Sequence, residues 1–116
     1  MSDASVLSQL MRTIQDRKAN PPERSYTTKL FKGGVPKIGE KITEEAAEVV
    51  EAAAEAIDPA DTKGHEHLVH EAADLIYHLF VMLGHCDVKL SEVEAELAGR
   101  FGISGLDEKE SRNQGA

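Results

Sequence analysis

Four carboxylates, two on each of two helix-forming segments, are the residues of this chain whose types and spacing best suit them to chemistry. In Lys41-Ile42-Thr43-Glu44-Glu45-Ala46-Ala47-Glu48-Val49-Val50, Glu45 and Glu48 stand three residues apart, and in Glu71-Ala72-Ala73-Asp74-Leu75 so do Glu71 and Asp74. Residues i and i+3 share one face of an α-helix, so the members of each pair point the same way. Four carboxylates held close repel one another unless a cation sits among them. Two such pairs on facing helices therefore make a cage for a hard divalent cation, with Mg²⁺ as the natural choice.

Helical angles sharpen this expectation. At roughly 100° per residue, Ile38, Ile42, Ala46, Val49, Ala53 and Ala56 form one apolar stripe, with Glu45, Lys41, Glu48 and Ala52 on its border. On the second segment Leu68, Ala72, Leu75, Leu79, Leu83 and Cys86 make the stripe, and Glu71, Asp74 and His78 occupy its border. A solvated run of charges lies opposite a stripe, as in most isolated Glu-x-x-Glu pairs. Acids that flank the stripe on both helices are instead partly buried, which is costly without a counter-ion.

The elements that must carry these residues are all helical. The capping residues Ser2 or Asp3 open a first helix with Val6, Leu7, Leu10, Met11 and Ile14 at helical spacing, and it ends before Asn20-Pro21-Pro22. Ser25 caps a short helix that runs to Gly33-Gly34. Pro36 suits the first turn of a helix reaching about Ile57, where Asp58-Pro59 stops it. The next helix runs from Asp61-Thr62 to about Cys86, and its stretch from Leu75 to Leu83 is apolar almost all round, the mark of a central buried element. Ser91 with Glu94 has capping-box spacing and opens a last helix with Val93, Leu97 and Phe101 on its apolar face, ending at Gly102 or Gly105. No strand pattern occurs. The expected fold is an all-α bundle of four to five helices over residues 1–105, followed by a polar tail, 106–116, without periodicity.

Composition narrows the partners. At 116 residues the chain is one domain, and with 4% aromatic residues and no Trp its core must be built from Ala, Leu, Val and Ile in close-packed helices. Thirteen basic against 21 acidic residues give a net charge of −8, which argues against nucleic acid and against anionic membrane surfaces. The lone Cys86 excludes an internal disulfide and a multi-cysteine zinc site, and there is neither a signal peptide nor an apolar run of membrane-spanning length. A soluble cytoplasmic protein is expected, and a small aromatic-poor chain with long amphipathic helices also favours a homodimer. His65, His67, His70, His78 and His85 are many for this length. His67 with His70, or His70 with Asp74, has helical ligand spacing, yet solvated or capping histidines explain them better than zinc. His78 borders the stripe one turn beyond Asp74 and suits a hydrogen bond behind the carboxylates.

These residues resemble a known family. Glu44-Glu45-x-x-Glu48 followed by Glu71-x-x-Asp74 resembles the metal signature of the all-α, MazG-like nucleoside triphosphate pyrophosphohydrolases. Within that superfamily, four stretches are similar to phosphoribosyl-ATP pyrophosphohydrolases: Ser25-Tyr26-Thr27-x-Lys29-Leu30, Lys41-Ile42-x-Glu44-Glu45-Ala46-x-Glu48-Val49, Glu71-Ala72-Ala73-Asp74-Leu75-x-Tyr77-His78, and Ser104-Gly105-Leu106-x-Glu108-Lys109-x-Ser111-Arg112. The resemblance implies hydrolysis of phosphoribosyl-ATP between its α- and β-phosphates, the second step of histidine biosynthesis. It implies Glu45, Glu48, Glu71 and Asp74 as Mg²⁺ ligands. Glu44, one step round the helix, becomes the candidate for orienting or deprotonating the attacking water, with an exposed helix glutamate as its alternative. Lys41, four residues before Glu45, can reach substrate oxygens or simply pair with the carboxylates. Arg24, Ser25, Thr27 and Lys29 become the candidate substrate contacts. A house-cleaning nucleotide pyrophosphohydrolase and a non-catalytic helical adaptor are the competing functions.

Overall fold

Side chains that accept a backbone N–H open the first three helices of the computed structural model, which describes residues 5–101. Ser5 Oγ accepts from Ser8 N at 3.0 Å before α1 (Val6–Ala19), and Ser25 Oγ accepts from Thr28 N at 3.2 Å before α2 (Tyr26–Glu55). Asp61 Oδ1 accepts from Gly64 N at 2.9 Å before α3 (Thr62–His85). The first cap is Ser5, where Ser2 or Asp3 was predicted; those two residues lie outside the described part. A fourth helix, α4, spans Leu90–Ala98, and no strand occurs among the described residues.

α4 departs most from expectation. Its cap, Lys89, lies two residues before the predicted one, because Lys89 N donates to Glu92 Oε2 at 2.8 Å and Leu90 packs against the core, which leaves Ser91 inside the first turn. It also ends at Ala98, ahead of Gly102 and Gly105, which lie outside the described residues together with the predicted tail. Of its predicted apolar face only Val93 is even half-buried, and Leu97 and Phe101 stay exposed.

The core is small and gathers where α1, α2 and α3 meet: Met11, Ile14, Leu30, Ile38, Phe80 and Val81, with Leu10, Phe31, Ile42, Tyr77, Met82, Leu83 and Leu90 against it. α1 and α3 approach closely at Gly84, where an added Cβ would stand 3.0 Å from Ile14 Cγ2. Lys18 ties the two together at the end of α3. Its Nζ donates to Gly84 O (3.1 Å), His85 O (3.0 Å) and Asp87 Oδ1 (2.8 Å), satisfying carbonyls that a helix terminus leaves unpaired and placing a cation at the negative end of the dipole. The same ammonium holds the Asp87 carboxyl below its ordinary pKa.

The buried face of α3 is rotated from the one predicted, whereas on α2 the predicted Ile38, Ile42, Ala46, Val49 and Ala56 are buried or half-buried. On α2 the inward row runs through Ile38 and Ala52, both fully buried, while Ala53 is exposed. On α3 the predicted border has become the interior: Glu71 and His78 are 7% and 5% exposed, whereas Leu79 of the predicted stripe is 44% exposed and Cys86 is exposed. The reason is the neighbour. α2 meets α3 along the Glu45 edge, so each helix turns its acids toward the other, and the expectation of a buried stretch from Leu75 to Leu83 fails at Ile76 and Leu79.

α2 is two helical arms, as the Gly33-Gly34 break predicted. Gly34 at φ 66°, ψ −163° lies in a region that only glycine occupies readily, and Pro36 starts the second arm two residues later. This corner fixes the arm bearing Tyr26 against the arm bearing Glu45. Gly34→Ala should therefore destabilise the protein by about 1–3 kcal/mol in urea unfolding, the cost of one strained residue. An unchanged midpoint would show that the corner needs no positive φ.

Candidate active site

Packing α2 on α3 brings Glu45, Glu48 and Glu71 together, so that one oxygen from each lies within 4.8 Å of the others. Asp74 stands on the far side of Glu71, where its carboxylate, Glu71 and His70 form a second group of the same size. Glu71 is thus common to both groups and is the most buried of the four carboxylates. Its Oε1 faces His67 Nε2 at 3.3 Å, and His67 Nδ1 faces Glu55 Oε2 at 3.5 Å, bridging α3 to the end of α2. His70 Nε2 lies 3.3 Å from Asp74 Oδ2. Both histidines are exposed, as expected, and pair with the acids from the solvent side.

Two oxygens in this cluster, Glu45 Oε2 and Glu71 Oε2, are buried with no hydrogen-bond partner. A buried carboxylate oxygen without a donor is costly, and an all-oxygen set of this kind matches the ligand preference of a hard divalent cation. The residues present therefore fit such an ion.

Behind the acids lies a ladder of rings. His78 Nδ1 is 2.8 Å from the main-chain oxygen of Asp74, and Nε2 is 3.0 Å from the Tyr26 hydroxyl, a hydrogen bond of the kind predicted for His78. Tyr77 stacks on Tyr26 with centroids 6.2 Å apart, and its hydroxyl is hydrogen-bonded to Thr27 Oγ1. Thr27 is buried, and Ser25 Oγ is engaged in capping α2. Arg24 and Lys29 are exposed, and with Glu23, Ser25 and Tyr26 they line a shallow cleft of about 460 Å³. Lys41 Nζ donates to Glu44 Oε2 at 3.3 Å, an i,i+3 pair at the rim, and this pairing, first of all its hydrogen bond, raises the Lys41 pKa. Sequence reasoning quoted Tyr26 only as part of the Ser-Tyr-Thr motif and weighed His67 only as a zinc ligand with His70; its i,i+4 spacing from Glu71 was the signal for the pairing seen here.

Burial raises the Glu45 carboxyl from its ordinary 4.5 to about 7, with further contributions from the nearby carboxyls of Glu71, Glu48 and Asp74. The folded state thus holds this proton more tightly than the unfolded chain does. The resulting stability is fully present below pH 4.5 and is lost as pH rises through about 7. In metal-free buffer the difference in stability between wild type and Glu45→Gln should therefore move in favour of the variant between about pH 5 and about pH 8, by about 1–3 kcal/mol after screening. Urea titrations at the two pH values measure it, and a pH-independent difference would mean that Glu45 is not held protonated. A divalent cation should remove the effect by displacing the proton.

Comparison with known proteins agrees with this geometry. The family model described as Phosphoribosyl-ATP pyrophosphohydrolase matches residues 7–101, a span that contains both acidic helices and the Tyr26 segment. A phosphoribosyl-ATP pyrophosphatase of Rhodopirellula baltica is 52% identical over 106 residues, covering 91% of this chain and 85% of the relative. Those of Geotalea daltonii and Nitrosospira multiformis are 45% and 44% identical, covering 94% and 99% of this chain and 96% and 89% of the relatives. With a match that runs through every residue of the carboxylate cluster, the chain belongs to the phosphoribosyl-ATP pyrophosphohydrolase family.

Proposed function

We propose that this protein hydrolyses phosphoribosyl-ATP to phosphoribosyl-AMP and pyrophosphate, the second step of histidine biosynthesis. The observation that carries this reading is the family match through two helices whose facing carboxylates leave buried oxygens unpartnered beside a cation-bearing cleft. Among the described residues no helix is long and apolar enough to cross a membrane. A soluble protein of the cytoplasm, with its exposed thiol Cys86 kept reduced, accords with both.

Magnesium is the cation we assign to Glu45, Glu48, Glu71 and Asp74; when bound, it offsets phosphate charge and makes water more acidic. The protein's own groups do the rest. Glu44 sits at the rim with an exposed carboxylate and takes the proton of the attacking water as the water oxygen bonds to phosphorus. The bridging phosphorus–oxygen bond breaks, and pyrophosphate leaves with the electron pair. Lys41, already aligned on this rim by Glu44, meets the charge that builds on the phosphoryl oxygens. Arg24, Ser25 and Lys29 bind the phosphates from the cleft, and Thr27 supports them from behind through Tyr77.

A homodimer completes the proposal. Val69, Ile76 and Leu79 lie on the side of α3 opposite Glu71 and His78, all of them more than a third exposed, and Val50 and Ile57 of the neighbouring chain segment are more exposed still. A second copy would bury this apolar face.

Glu48→Gln and Asp74→Asn should each lower turnover of phosphoribosyl-ATP by about 100-fold or more while circular dichroism stays that of the wild type, because a cation contributes several kcal/mol of charge stabilisation. Near wild-type turnover at limiting magnesium would refute the ligand assignment. Saturating Mg²⁺, at ~100-fold over its Kd, should stabilise the wild type by about 2–3 kcal/mol and a Glu45→Gln/Glu71→Gln variant far less. Phosphorus NMR should find pyrophosphate as the first product. A panel of canonical and damaged nucleotides, cleaved no better than background, would separate this reading from house-cleaning activity.

A further inference from the structure

The Tyr26–His78 pair has a direction. A main-chain carbonyl can only accept, so the Nδ1 that faces Asp74 O at 2.8 Å carries the proton of the neutral ring, and Nε2 is left with its lone pair. That tautomer is assigned from the partners. Tyr26 Oη, 3.0 Å from Nε2, must therefore donate to it.

Tyr26 is held from several sides although half its surface is open. Tyr77 stacks on it at an interplanar angle of 20°, and the His78 ring meets it edge-on at 5.8 Å and 89°. Tyr77 is in turn fixed by Thr27 and by the His78 ring at 5.0 Å. His78, at 5% exposure, cannot swing away. The open side of Tyr26 lines the same cleft as Arg24, Ser25 and Lys29. Burial, set against the nearby Lys41 ammonium, raises the phenol's pKa, so Oη stays a neutral oxygen whose proton is already committed.

Such an oxygen has only lone pairs left to offer. It cannot donate to a phosphate oxygen, which has no proton to return; that contact falls to the cations. It can receive an O–H. We propose that Tyr26 Oη accepts a hydrogen bond from an O–H of the reacting complex, either the attacking water or a ribose hydroxyl of the nucleotide, and that His78 is the positioning residue that aims it by accepting the phenol's hydrogen bond. The nucleotide's identity rests on the function proposed above; the direction of the hydrogen bond does not.

The test has two parts on the full chain. In ¹⁵N-histidine NMR without substrate, His78 should show a protonated Nδ1 and a bare Nε2, and Tyr26→Phe should shift the Nε2 resonance; a protonated Nε2 would overturn the proposal. With phosphoribosyl-ATP, Tyr26→Phe should lower kcat/KM about tenfold, the scale of one neutral hydrogen bond. His78→Gln should lower it too, and the double variant should be no worse than the poorer single one, because both remove a single aimed acceptor. Thermal unfolding of each variant separates misfolding from lost chemistry. A loss confined to kcat identifies water as the donor, whereas a loss in KM that vanishes with the matching deoxyribose substrate identifies the sugar. Full activity in Tyr26→Phe, or additive effects of the two changes, overturns the proposal alone. A wild type that leaves phosphoribosyl-ATP uncut would instead refute the function, with the NMR result still standing.

Discussion

Glu45, Glu48 and Glu71 meet across the face along which α2 packs on α3, and everything else in the structure has to hold that face closed against their repulsion. Apolar burial supplies the force, but most of it lies at one end, where Met11, Ile14, Leu30, Ile38, Phe80 and Val81 cluster away from the acids. The carboxylates are thus held together by this core, while His67 and His70 pair with Glu71 and Asp74 but leave Glu45 Oε2 and Glu71 Oε2 without a donor. A site built this way is poised for a cation: the proton on Glu45 and a divalent ion compete for one unfavourable concentration of negative charge.

The clamp explains why so small a core includes residues from three helices. α1 contributes Met11 and Ile14 and then Lys18, whose ammonium closes the end of α3. α3 is consequently pinned at its C-terminal end by α1 and along its middle by α2. Gly34 performs the matching task on α2, turning the chain so that both the Tyr26 arm and the Glu45 arm meet α3. Tyr26 and Tyr77 then stack, with the His78 ring edge-on to both, and a residue of the cleft is joined through His78 to the backbone of Asp74. These hydrogen bonds join the cleft to the helix that carries Glu71 and Asp74, a condition for placing a phosphate anhydride with respect to both.

The helices themselves were legible in the sequence, because caps and breakers act over three or four residues. Ser25 and Asp61 cap as expected, Asn20-Pro21-Pro22 ends α1, and Gly33-Gly34 followed by Pro36 divides α2. α4 escaped because two capping solutions compete there. Ser91 offers a hydroxyl, but a helix beginning at Leu90 satisfies Lys89 N through Glu92 and also buries Leu90. The pairing of Glu45 with Glu48 and of Glu71 with Asp74 on common faces was likewise legible, since i,i+3 spacing is a property of the helix alone.

Which face turns inward is not such a property. Angular bookkeeping on a single helix counts apolar side chains, and on α3 it favoured the row of Leu75 and Leu79 over that of Glu71 and His78. The packed structure buries Glu71 and His78 and leaves Leu79 nearly half exposed, because the decision rests on what the facing helix offers. The same holds for the meeting of Tyr26 with His78, 52 residues apart, and for the division of the acids into two groups that share Glu71. Chain-local rules thus determined the helices, their breaks and the spacing of the acids. Only tertiary packing decided which of those acids are buried, which oxygens go unpartnered and which hydroxyl meets His78, because each depends on contacts between residues that local sequence cannot relate.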